Sequence, residues 1–334
     1  MIIDLYGPPP STYHRSSYST CVGPRHYSLS KEIDGVLFSS SPSMSIPITL
    51  IVSPFHVGAY NFRVGNGPPR ILPGLLRALR AIDYDVQVIK IEKVDEFEGE
   101  IGKSFELLRR ISQAVKQAVV ERRFPIALAG NCHTSVAVAA GLNSAGVDTD
   151  NLHVYWTDAH VDAQTPDDNT SGYLDSMGIS MLAGYTWKAL TNTIPGHRVI
   201  PLDRVTFIGA RDIESSEEQR IADAGSHIIR GVANANYASR LEDRLKDVAA
   251  ETDSLVHVDL DALDPSVGIA NEYPVPGGLL ERDLIGVLRL LAKRNPVSLT
   301  VASFNPDCGN GEHIVNLAID AVVEFLKVKD GRDQ

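Results

Sequence analysis

The sequence predicts an α/β fold: a single three-layer domain, a parallel sheet with helices on both faces. Three observations carry this. Short apolar runs alternate with longer stretches of helical spacing through most of the chain. The runs are nearly continuous in Val, Ile, Leu and Ala, as strands buried on both faces must be. Residues fit for chemistry gather where those strands end, the edge at which open parallel sheets hold their ligands.

Residues 1–45 are rich in Ser, Tyr and Pro and lack periodicity. They read as an N-terminal extension that wraps the domain or is partly disordered. The α/β domain is expected over residues 46–328, followed by a polar tail over 329–334. Residues 48–52 form the first strand candidate, followed by a Gly- and Pro-rich loop to residue 69. A helix is expected over 71–81, with Pro73 in its first turn. A strand follows at 86–91. Residues 104–122 carry helical apolar spacing through Leu107, Leu108, Ile111, Ala114, Val115, Ala118 and Val119. Next come a strand at 125–128, a helix at 135–142 and a strand at 152–155. The polar stretch 164–175 reads as a loop that is either functional or disordered. Strands at 205–209, 225–230, 255–260 and 298–303 then alternate with helices at 214–224, 233–250, 280–293 and 312–328.

The chain has 334 residues, 43% of them hydrophobic, enough for a sizeable core. A net charge of -11 excludes a nucleic-acid binder that relies on a basic face. The three cysteines, Cys21, Cys132 and Cys308, are too few and scattered for a disulfide framework. No secretory leader and no membrane span are legible. A cytoplasmic protein with a small-molecule substrate is therefore expected, and a homo-oligomer is left open.

The chemistry centres on Asp158-Ala159-His160-Val161-Asp162, just past the strand at 152–155. Its Asp, His and Asp fall at i, i+2 and i+4, one side of an extended chain. Asp259 and Asp261 end a second strand, and His133 follows a third. Each stretch alone also has a plain reading, an acidic loop cap or a satisfied polar group. All three together at one sheet edge point to a metal centre. Four carboxylates and two imidazoles suit hard-to-borderline divalent ions. Four carboxylates are too many for one open catalytic ion and balance two, which together deprotonate a shared water and clamp developing charge.

With these residues in view, the sequence resembles the arginase (ureohydrolase) family of dimanganese hydrolases. That family carries Gly-Gly-Asp-His-Ser, Asp-Ala-His-x-Asp and Ser-x-Asp-x-Asp-x-x-Asp-Pro. The first is met by Gly130-Asn131-Cys132-His133-Thr134, with His133 on the family's histidine. The second is Asp158 to Asp162, and the third runs from His257 through Asp259, Asp261, Asp264 and Pro265. The resemblance implies two Mn2+ per chain. His133 and Asp162 would bind one ion, His160 and Asp261 the other, and Asp158 and Asp259 both.

The same resemblance implies substrate contacts from Gln164, Ser171, Tyr173, Glu214 and Glu217, the last two facing an α-ammonium group. Gln164 and Tyr173 stand where the family has Asn, and Asp175 replaces a histidine that shuttles protons. Asp158 is then expected to hand a proton to the leaving nitrogen. Asp175 could assist only with a raised pKa. Ser303 stands where arginases carry the Glu that pairs with guanidinium, a charge-assisted contact that Ser cannot make. The expected activity is therefore hydrolysis of a guanidino or amidine C–N bond of arginine or a modified arginine such as an N-hydroxyguanidine. The alternatives are a formimino or amide hydrolase, or an inactive binding homologue.

Overall fold

The computed structural model describes residues 45–95 and 99–332. All but the last residue of the expected N-terminal extension lies outside that range, as do the final two residues of the polar tail. The first strand, β1 (Ile48–Ser53), is buried along its whole length. A small hairpin follows, β2 (Phe55–His56) and β3 (Ala59–Tyr60), then helix α1 (Gly67–Ala81). That helix starts a turn earlier than its apolar pattern predicts. Pro68 and Pro69 occupy its first turn, where missing N–H groups cost nothing, and Pro73 lies within the helix.

Strand β4 (Val86–Lys90) leads to the long helix α2 (Glu100–Val120), and β5 (Phe124–Ala129) to α3 (Thr134–Ser144). Strand β6 (His153–Thr157) opens into the long loop, which holds the short helices α4 (Gly178–Leu182) and α5 (Lys188–Thr191). Then come β7 (Val205–Ile208), α6 (Ser215–Ala224), β8 (His227–Ile229) and α7 (Tyr237–Leu245). The chain closes with β9 (Ser254–Asp259), α8 (Glu281–Leu291), β10 (Pro296–Ala302) and α9 (Gly311–Lys329). The spacing predicts α7 over 233–250, but the helix is shorter. Asn236 caps it by accepting from Ser239 N.

Eight strands form one sheet in the order β4-β1-β5-β10-β9-β6-β7-β8. Every neighbouring pair is parallel. Side chains alternate across the sheet and build two cores. One packs α1, α7, α8 and α9 against Ile48, Leu50 and Val52. The other packs α2, α3, α4 and α6 against Ile51, Ala127 and Val154. This is the three-layer arrangement expected from the apolar strands.

Four adjacent strands, β5, β10, β9 and β6, carry the chemistry-bearing residues just past their C-terminal ends. At the end of β5 the chain passes close beneath the hairpin. A Cβ on Gly130 would lie 2.0 Å from the carbonyl oxygen of Phe55. Only glycine fits that crossing.

Candidate metal centre

Strand β6 delivers Asp158, whose carboxylate is fully buried. Trp156 Nε1 donates to its Oδ2 at 2.9 Å, and the backbone N–H of His160 donates to its Oδ1 at 2.7 Å. Strand β9 delivers Asp259, which accepts from Asp261 N at 2.7 Å. Asp261 in turn accepts from Asn271 Nδ2 at 2.9 Å and Ala159 N at 3.3 Å. His160 Nδ1 lies 3.4 Å from both Asp158 Oδ1 and Asp261 Oδ2. One donor atom from each of these three falls within 4.8 Å of the others. Asp162 completes the acidic set, with its backbone in the left-handed region at φ 47. Strain of that kind in a non-glycine residue collects at functional sites.

The protein groups alone form a frustrated cluster. Burial, and then the charge of Asp261, push the Asp158 carboxyl up to about 7. Burial and neighbouring acids also raise Asp162 and Asp259 well above the carboxylate range. For Asp261 burial acts upward too, but His160 outweighs it and holds the group low. Burial would lower His160, yet Asp261 and Asp158 raise it well above its ordinary value. Like charges this close and this dry call for cations among them. The donor set therefore fits divalent ions: oxygen from four carboxylates, nitrogen from His160 and open space beside them.

That space is a cavity of about 320 Å³, bordered by His160, Asp162, Asp175, Asp259, Asp261 and Ser303 among others. The size is in the range of small-ligand sites. Tyr173 and Tyr273 form one wall, their ring centroids 5.9 Å apart. Gln164, Asp212 and Glu214 line the same cavity. A depression elsewhere, beside Glu281 and His313, is open to solvent and gathers no such acids.

The structure departs from the sequence-based assignment at four residues. His133 does not line the cavity; Cys132 does. His133 borders a second, small pocket with Phe55 and Leu108. Its Nδ1 lies 2.8 Å from Oδ1 of Asp175, which borders the main cavity. Asp175, expected as a helper acid, accepts from Asn131 Nδ2 at 2.6 Å and His133 N at 3.0 Å. Burial would raise its carboxyl, but the hydrogen bonds and charge of His133 outweigh this and lower it. A lowered carboxyl is the reverse of what proton donation needs. Ser171 is exposed and bonds to Asn169 within its own loop, outside the cavity.

Glu217 is buried and committed to the backbone. It accepts from Ala163 N at 2.9 Å and Glu214 N at 3.0 Å, capping α6. Glu214 remains exposed at the cavity mouth. Sequence reasoning missed Asp212, whose Oδ2 lies 3.8 Å from His160 Nε2. It also missed Asn271 and Tyr273, which lie in a stretch without periodicity or motif. It passed over Arg211, whose guanidinium clamps the loop after β9. Nη2 donates to the carbonyls of Asp261, Leu263 and Val275 at 3.0, 3.1 and 2.8 Å.

Comparison with known proteins agrees with this geometry. The family model described as "Arginase family" matches residues 47–327. The arginase of Staphylococcus aureus (strain MSSA476) is 26% identical over 296 residues, covering 84% of this chain and 96% of that protein. The arginase of Bacillus caldovelox is 27% identical over 262 residues, covering 74% and 86%. Among solved structures, Bacillus subtilis arginase superposes with a TM-score of 0.72 at 25% identity, covering 84% of this chain and 98% of that one. Proclavaminate amidino hydrolase from Streptomyces clavuligerus shares the fold, with a TM-score of 0.65 at 17% identity over 87% and 94%. With the motifs in place at the sheet edge and the family model spanning nearly the whole described domain, the chain belongs to the arginase family.

Proposed function

We propose that this chain is a metal-dependent hydrolase that cleaves a C–N bond of a guanidino or amidine group, best matched by a modified arginine such as an N-hydroxyguanidine. The observation that carries the reading is the convergence of His160, Asp162, Asp259 and Asp261 on one cavity, with the buried carboxylate of Asp158 directly behind His160 and Asp261. Two divalent ions, manganese by family resemblance, would be held by these residues and would supply an activated water and charge stabilisation. The residues then divide the work. By family resemblance, Asp158 and Asp259 would be the carboxylates that hold both ions. Asp158, whose Oδ1 lies 3.4 Å from His160 Nδ1, is the group assigned to pass a proton to the leaving nitrogen.

The substrate end of the cavity differs from what a guanidinium prefers. Ser303 brings a neutral hydroxyl, 3.2 Å from Cys132 Sγ, where a carboxylate would pair with the cation. A less basic group loses less by that exchange. At the mouth, Asp212 and Glu214 remain to meet a positive charge, and Glu217 does not, because the backbone occupies it. The α-ammonium contact assigned to Glu214 and Glu217 is thus reassigned to Glu214 and Asp212. The formimino or amide reading draws support from the same neutral Ser303 and from the aromatic wall of Tyr173 and Tyr273.

The test is a screen of metal-loaded protein for release of urea, hydroxyurea or ammonia. The panel holds arginine, N-hydroxyarginine, agmatine, guanidinobutyrate and formiminoglutamate. Preference for the hydroxyguanidine supports the reading, and preference for formiminoglutamate replaces it with the alternative. No turnover of any of them would favour a binding homologue.

A further inference from the structure

The six ligands expected from sequence leave out a donor set on the inner side of Asp259. Cys132 Sγ lies 2.8 Å from Asp259 Oδ2, and the thiol is buried. One donor atom each of Cys132, Asp158 and His257 falls within 4.8 Å of the other two. His257 is itself wholly buried, two residues before Asp259 on the same face of β9. Its Nδ1 is taken by Ser135 Oγ at 2.9 Å. Its Nε2 has no hydrogen-bond partner among the described residues. A buried ring nitrogen without a partner is uncommon and calls for an explanation, an ion among them. The ring is stacked on Trp156 with centroids 3.7 Å apart, and Trp156 is tied to Asp158, so the imidazole cannot swing elsewhere.

We propose that Cys132 is a sulfur donor to the metal centre, with His257 Nε2 as a nitrogen donor to the same ion, and that the ion beside Asp158 and Asp259 is zinc or cobalt in preference to manganese. This rests on the metal-centre reading above. A thiolate and an imidazole among carboxylates form a softer set than carboxylates alone, and such sets select borderline ions. Cys132 takes the inward place expected of His133, whose ring is turned to Asp175. Binding replaces the S–H bond with a sulfur–metal bond, and the proton leaves to solvent, so no oxidant or reductant is needed.

X-ray absorption on zinc-loaded wild-type protein reads the donor directly. The proposal expects one sulfur neighbour at about 2.3 Å. Cobalt-loaded protein should show a thiolate-to-cobalt charge-transfer band in the near ultraviolet. Cys132→Ser should abolish the band, and His133→Ala should retain it. His257→Ala should weaken cobalt binding at least tenfold, and unchanged affinity would remove His257 from the set. Bound ions with only oxygen and nitrogen neighbours, or a band that survives Cys132→Ser, would overturn the sulfur assignment and leave the metal centre standing. Protein that takes up neither zinc nor cobalt nor manganese would overturn both.

Discussion

Ser303 sits at φ 62, a left-handed conformation that costs a non-glycine residue energy, and it faces the cavity beside Cys132. Its backbone N–H donates to Gly130 O at 3.2 Å and its carbonyl accepts from Asn271, so neighbours hold the strained geometry in place. Under the proposed function, position 303 sets what charge meets the reacting group. Ser303→Glu should raise kcat/KM for arginine roughly tenfold to a hundredfold, the equivalent of about 1.5–3 kcal/mol for a regained charged hydrogen bond. Steady-state kinetics on arginine checks this, and a decrease would show that the pocket does not present the residue to a guanidinium. The two acids of the α6 cap should separate. Glu214→Gln should raise KM several-fold with little change in kcat, as for a group that anchors ground and transition states alike. Glu217→Gln should act on stability instead, because its carboxylate serves two backbone donors. Equal kinetic effects from the pair would contradict that division.

At the scale of elements, the loop after β9 depends on a side chain from the loop after β7. Arg211 donates to five backbone carbonyls, those of Gly209, Asp261, Ala262, Leu263 and Val275. Removing it leaves buried carbonyls unpaired next to Asp261. Arg211→Ala should lower unfolding free energy by about 3 kcal/mol and weaken ion binding, measured by urea denaturation with and without added metal. A neutral effect would mean the loop holds itself. The elements themselves were legible in the sequence, since near-continuous apolar strands and helical spacing are local signals. The four acids and His160 were legible as well, because strand ends place i and i+2 side chains together. The inward choice between Cys132 and His133 was not, since it turns on the exit angle from β5 into α3. Glu217 was also hidden, because its partner Ala163 N lies more than fifty residues away. Tyr273 and Asp212 meet in one cavity only through loops that carry no period.

Across the whole molecule, stability carries a pH signature away from the metal centre. His153 opens β6, with Nε2 2.9 Å from Thr206 Oγ1. Burial, aided by Arg244, Arg294 and Arg204, lowers its pKa to about 4. The folded state thus keeps a neutral ring that the unfolded chain protonates from about 6.5 downward. Its contribution is complete above that value and falls away as pH drops toward 4. Between about pH 7 and pH 5 the loss should be about 2 kcal/mol. His153→Gln should flatten the stability profile by that amount in chemical denaturation, and an unchanged profile would show the ring is not held neutral. Among the described residues no helix is long and apolar enough to cross a membrane. The two cores and the parallel sheet fix the strand ends that bring the acids together, so the central claim concerns what those acids hold. Elemental analysis of the purified chain after gel filtration tests it most directly. The account predicts about two divalent ions per chain, and loss of at least one in Asp259→Ala together with a fall in activity on the order of a thousandfold. Wild-type protein that retains no divalent ion when saturated with manganese, zinc or cobalt would contradict it.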